Sequence, residues 1–180
     1  IFFFDPQTIR NLFLRTKKTI PETKVIIPKT KTITLTVLGI YFLFQLALPI
    51  RHHFFKDDVL WTEEGHRLSW RMMLRSRDGR ISYKVINTQT KDTTEVNLDD
   101  YLTRKQKQRV SCYPDFIWQF AQRLKKEYTD KGETVQIFVD NKVRINQNPY
   151  QPFIDPNVDL ASVPWKHFAH NEWILPSPKE

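Results

Sequence analysis

Two adjacent carboxylates, Glu63 and Glu64, stand in "VLWTEEGHRLSWRMMLRSRDG" (Val59–Gly79) with His66, Arg67 and Arg71, between Trp61 and Trp70. Paired carboxylates that share a proton can act as acid and base. Neighbours in sequence diverge on any regular element, so that role is disfavoured here. The expectation is instead that one glutamate forms a buried ion pair with Arg67 or Arg71 and locks a soluble domain onto a membrane part, since such pairs specify an arrangement more dependably than they stabilise it. His66 could titrate near neutrality, but a single histidine among arginines reads as structural. His52 and His53 are consecutive, and His167 and His170 lie three apart. No cysteine or carboxylate completes a familiar ligand set around either pair, so no metal is predicted. Met72 and Met73 read as packing residues. Asp155, before Pro156, reads as an Asx-type turn. No glycine-rich phosphate loop or Gly-x-Ser-x-Gly elbow occurs.

The elements that must position this patch follow from hydropathy and charge. Thr32–Ile50, "TITLTVLGIYFLFQLALPI", carries no charge. As a helix it would be roughly 28 Å long, close to a hydrocarbon core of about 30 Å. It reads as a membrane span, left at Pro49. The formal net charge is +8, of which residues 5–31 hold +5: seven basic groups against Asp5 and Glu22. Positive loops stay cytoplasmic, so the span is expected to run outward, with the rest of the chain on the periplasmic or lumenal side. Phe2–Phe4 read as the tail of an earlier span, and a start on Ile1 without Met as a chain cut from something longer. With the basicity confined to one short segment and no RNP, zinc-finger or helix-turn-helix pattern, nucleic acid is excluded as a partner. A lone Cys112 excludes an intrachain disulfide and reads as a buried thiol.

Beyond the patch, Ile81, Tyr83 and Val85 alternate with polar residues and Glu95–Leu98 resumes after a break, which predicts a β-hairpin. Thr103–Val110 predicts a short basic helix capped by Thr103. Pro114 suits the first turn of a second helix, whose apolar face is Ile117, Phe120, Leu124 and Tyr128, ending at Gly132. Val135, Ile137, Val139, Val143 and Ile145 predict a long strand with one exposed face. "NQNP" marks a turn, and "QPFIDPNVDLASVPW" is held extended by its prolines. The fold class is therefore α+β: 1–31, an earlier span's end and a basic loop; 32–50, a membrane-spanning helix; 51–79, a membrane-junction motif; 80–180, a small mixed sheet-and-helix extramembrane domain.

"LPIRHHFFKDDVLWTEEGHRLSWRMMLR" (Leu48–Arg75) resembles the signature region of vitamin K-dependent γ-glutamyl carboxylases and their bacterial relatives, the HTTM-domain membrane proteins. "FIWQFAQRL" (Phe116–Leu124), "IFVDNKVRIN" (Ile137–Asn146), "FIDPNVDLASVPW" (Phe153–Trp165) and "WILP" (Trp173–Pro176) resemble later blocks of that family, in the same order. The resemblance implies the C-terminal portion of a multi-pass membrane enzyme. In the family a reduced naphthoquinone, such as reduced vitamin K, reacts with oxygen to give an epoxide. A strong base formed on the way takes a γ-proton from peptide glutamate, and carbon dioxide adds to the carbanion. The implied partners are lipid membrane, lipid quinone and a glutamate-containing peptide or protein. The family's lysine that deprotonates the hydroquinone lies in upstream helices and matches no lysine here, so no catalytic residue is expected in this chain. Trp61, Glu63, Glu64, His66, Arg67, Trp70 and Arg71 become candidates for the substrate mouth or the junction; for Trp61 and Trp70 the competing reading is headgroup-level anchoring. Animal carboxylases resemble this chain at Trp61–Thr62, Gly65, Ser69–Trp70 and Met72–Met73 but lack the Glu63–Glu64 pair and His66, which therefore carry no role by analogy. The alternative function is a non-catalytic exoplasmic module that binds protein or peptide.

Overall fold

The computed structural model describes residues 30–55, 57–69, 72 and 75–177. The basic loop expected at 5–31 and the Phe2–Phe4 span end lie almost wholly outside the described residues, as do Trp70 and Arg71. Helix α1, Lys31–Ile50, is uncharged after Lys31 and is long and apolar enough to cross a membrane. Its large apolar side chains are exposed on all sides from Ile33 to Leu46 and again at Ile50, while Pro49 is buried. A core helix of a soluble domain would bury one stripe at least. Thr34 and Thr36 return their hydroxyls to the carbonyls of Thr30 and Thr32, so neither needs water. Pro49 closes the helix, and its carbonyl is met by His52 Nδ1 at 2.7 Å. Contacts within the chain divide it into two units at Tyr41/Phe42, and the second holds the rest of α1 and the whole extramembrane domain.

The domain is built on a four-stranded antiparallel sheet ordered β2-β1-β3-β4. Strands β1 (Arg77–Asn87) and β3 (Val135–Ile145) pair along their full length, from Arg77 opposite Ile145 to Asn87 opposite Val135. Short β2 (Thr93–Glu95) and β4 (Gln151–Pro152) close the two edges. The hairpin expected from Ile81–Val85 thus exists, but its return strand is shorter: Leu98 starts a 3-10 turn, Leu98–Asp100. The principal partner of β1 is β3.

On β3 the alternation buries Val135, Ile137, Val139 and Val143 and leaves the other face open. Between the two short helices α2 (Val59–Thr62) and α3 (Arg104–Val110) and the longer α4 (Pro114–Asp130), α4 carries the packing face. Pro114 begins it and Gly132, at φ +80°, follows its end. Ile117, Phe120, Ala121 and Leu124 are buried, whereas Tyr128 is only partly so. Thr103 caps α3, with its N–H donated to Gln106 Oε1 at 2.9 Å. Tyr83, fully buried on β1, stands edge-on to Phe120 and donates its hydroxyl to the Ile117 carbonyl at 3.2 Å. The extended segment after β4 completes the core with Phe153, Ile154, Leu160, Trp173 and Ile174. Asp155 accepts from the Asn157 N–H at 2.9 Å, the expected Asx turn.

Candidate functional site at the helix exit

The Val59–Gly79 stretch is a loop bent by its own backbone. Asp58 caps α2 by accepting from the Leu60 N–H at 2.8 Å. Glu63 follows in the left-handed region, φ +61°, and Gly65 repeats the bend at φ +70°. At Gly65 a Cβ would lie 2.9 Å from His52 Cα and from a Phe55 ring carbon, so only glycine lets this loop lie against the 3-10 turn Arg51–Phe54 that leaves α1. Arg51 adds a tie, donating Nη2–H to the Arg67 carbonyl at 3.0 Å.

Glu63 and Glu64 diverge, as neighbours must, and each is buried in a separate cluster. The Glu63 carboxylate is ion-paired to Arg75 and, at 3.4 Å, to Arg77; the three side chains are 5%, 7% and 3% exposed. Arg77 also donates to the Trp61 carbonyl at 2.7 Å and lies over the Phe153 ring at 4.6 Å. Burial, with the Arg75 cation beside it, pushes the Arg77 guanidinium down to about 9, which leaves it charged at neutral pH. Glu64 accepts from Asn171 N–H at 2.7 Å and Asn171 Nδ2–H at 2.8 Å, and meets His170 Nδ1 at 2.5 Å. These partners lie more than a hundred residues further along the chain.

A buried ion pair therefore exists, but its arginines are Arg75 and Arg77 and not Arg67. Arg67 faces out, pairs with Asp115 at 2.5 Å and lies over Phe116 at 5.3 Å. The left-handed turn at Glu63 carries the chain away before residue 67, and the later arginines, Arg75 just before β1 and Arg77 at its start, meet the carboxylate instead. Arg71 and Trp70 lie outside the described residues. Trp61 is a core residue and not a headgroup-level one: it is 4% exposed, edge-on to Phe153, and its Nε1–H reaches the Leu175 carbonyl at 2.8 Å. Reasoning from the sequence missed Arg75, Arg77, His170 and Asn171. Only the two arginines carried a local signal, as further cations of the same stretch.

A groove of about 930 Å³ opens beside the two clusters, walled by Arg51, Phe55, Arg109, Phe116, Trp118 and Trp165. His66 lines it too, as does His167, while His170 serves Glu64. The groove's walls set Arg51, Arg67, Arg109 and Lys166 against Glu63, Glu64 and Asp115, with Phe55, Phe116, Trp118 and Trp165 beside them, a lining suited to a flat aromatic group with an anionic edge. It is poorly suited to moving a proton, since both buried carboxylates are already engaged. Among the described residues no three His, Cys, Asp or Glu side chains converge as metal ligands.

Comparison with curated proteins and with solved structures returns no match. The family model for the vitamin K-dependent gamma-carboxylase lumenal domain matches residues 30–180, taking in α1, the junction and the whole sheet-and-helix domain, and the chain belongs to that family.

Proposed function

We propose that this chain is the C-terminal, exoplasmic part of a multi-pass membrane enzyme of the HTTM type, of bacterial affinity, that oxidises a reduced naphthoquinone. The observation that carries the reading is the family match over both a span-length helix and the domain behind it, residues 30–180. Reduced vitamin K or a related quinol would supply the oxygen chemistry from upstream helices. The two buried glutamates offer it no free base: Glu63 is held by two guanidinium groups and Glu64 by His170 and Asn171. No step is assigned to this chain beyond positioning and closing the membrane–water boundary. The test is the full-length protein in lipid vesicles, given reduced naphthoquinone and a glutamate-containing peptide. Quinol-dependent oxygen uptake with bicarbonate carbon fixed into the peptide indicates the full carboxylase reaction. Uptake without fixation indicates quinol oxidation alone. Neither signal, from protein shown to be folded, sinks the enzyme reading.

A second reading, a non-catalytic exoplasmic module that binds peptide or protein, is favoured by the groove with its Arg51, Arg109 and Lys166 cations. Saturable peptide binding lost in Arg109→Glu, in a full-length protein that lacks the family lysine upstream, would favour this reading over the first.

A further inference from the structure

We propose that the extramembrane domain is itself partly immersed in the bilayer, through a face centred on Arg51 and formed by Phe54, Leu68 and Phe168. These three side chains are 84%, 65% and 79% exposed, an unusual cost for large apolar groups in water. They come from three separate stretches of chain, of which Arg51 touches one ring directly, Phe168, and reaches the Leu68 stretch through the Arg67 carbonyl. Arg51 and Phe54 bound a single 3-10 turn, in which positions three apart lie on the same side. The Arg51 guanidinium lies 5.7 Å from the Phe168 ring centre. Its Nη2–H bond to the Arg67 carbonyl, at 3.0 Å, brings in Leu68 as the next residue.

The occupant follows from where this face lies. It continues directly from the end of α1, whose last residue, Ile50, is itself 52% exposed. The first charge after the apolar run is Arg51, which sets the level of the lipid headgroups. At that depth phosphates accept from arginine while acyl chains receive phenyl and leucyl groups. Arg67, next to Leu68, keeps its side chain 60% exposed while paired with Asp115. A dry protein partner would have to meet the charge of Arg51 that the Arg67 carbonyl leaves uncompensated; headgroup phosphates do so without a dedicated site. The inference rests on α1 crossing a membrane, the coarser part of the reading above.

The test is nitroxide labelling of the full chain in phosphatidylcholine–phosphatidylglycerol vesicles, at cysteines introduced singly by Phe168→Cys, Leu68→Cys, Leu43→Cys and Gln89→Cys. Cys112, 2% exposed, stays in place, and the unlabelled-site parent is the blank. Collision with oxygen and with a water-soluble nickel chelate is then measured. Immersion gives positions 168 and 68 oxygen collision several-fold above, and nickel collision several-fold below, those at position 89. Two other patterns overturn the proposal: low collision with both reagents, meaning a covering protein surface, and high collision with nickel, meaning open water. Position 43, in mid-helix, separates the failures. If it is immersed while 168 and 68 are not, only this proposal falls; if it meets nickel freely, the membrane reading falls with it. All four sites are exposed, so loss of the fold is not expected, and a change at both 168 and 68 is required for support.

Discussion

Glu63→Ala should take the counter-charge from two buried guanidinium groups, which costs on the order of 3–5 kcal/mol. Unfolding of the full chain in detergent measures it, and a loss below about 1 kcal/mol would show that water reaches the cluster. Adding Arg77→Met to Glu63→Ala should recover part of the loss, because the second change removes one of those two charges. Cys112 provides an independent check on the same region. Burial pushes its thiol above the ordinary range, so at pH 8 it stays protonated and a disulfide reagent should react only as fast as the fold opens. Rapid reaction in native protein would contradict its 2% exposure. The sequence pointed to Glu63 and Glu64, and to an ion pair, because adjacent carboxylates amid arginines must diverge and must be neutralised if buried. It did not point to the partners. A left-handed turn at a glutamate has no compositional mark, and the Glu64 acceptors meet an asparagine and a histidine that no local pattern connects to it.

At the scale of elements, Phe120→Ala should cost about 3–5 kcal/mol, since the ring is buried between Tyr83 and Tyr101. Chemical denaturation reads this directly. Gly79→Ala should be as damaging without removing any contact. A Cβ on Gly79 would come 2.0 Å from the Ser111 carbonyl oxygen, so β1 or the α3–α4 corner must shift, at about 3 kcal/mol or more. Wild-type stability in Gly79→Ala would mean that the corner is not seated on the strand. That same carbonyl accepts from Asn141 Nδ2–H at 2.9 Å, which explains an asparagine on the inward face of β3. Helix α4 and strand β3 were legible because their periodicities, 3.6 and 2, are local properties. The pairing of β1 with β3 was not, since it joins strands separated by two helices and depends on the packing of α4 against the sheet. Trp61 was misplaced for a related reason: a tryptophan just past a span has the same neighbours in sequence whether it stays at the headgroups or turns into a core.

For the whole molecule, the +5 charge over residues 5–31 predicts a cytoplasmic loop there and an exoplasmic domain after α1. A cysteine placed at Gln89 should react with an impermeant reagent in intact cells. Reaction only after permeabilisation would reverse the orientation. The α+β class and the apolar helix could be read from composition and periodicity; the contacts that seat the domain at the helix exit could not. They are drawn from both ends of the domain, and this has a consequence for the order of synthesis. Glu64 meets Asn171 across 107 positions, Trp61 meets Leu175 across 114, and Asp57 meets Ser177 across 120. A nascent chain therefore presents a half-made junction at the membrane surface while some hundred residues are still to come, with Trp61 bare and the Glu64 carboxylate waiting for its amides. Whatever attends the chain at that stage, lipid or chaperone, holds an unfinished seam that the segment from Asn171 to Ser177 closes last. A ribosome stalled before residue 171 should leave a chain whose α1 is inserted but whose exit loop is open to protease.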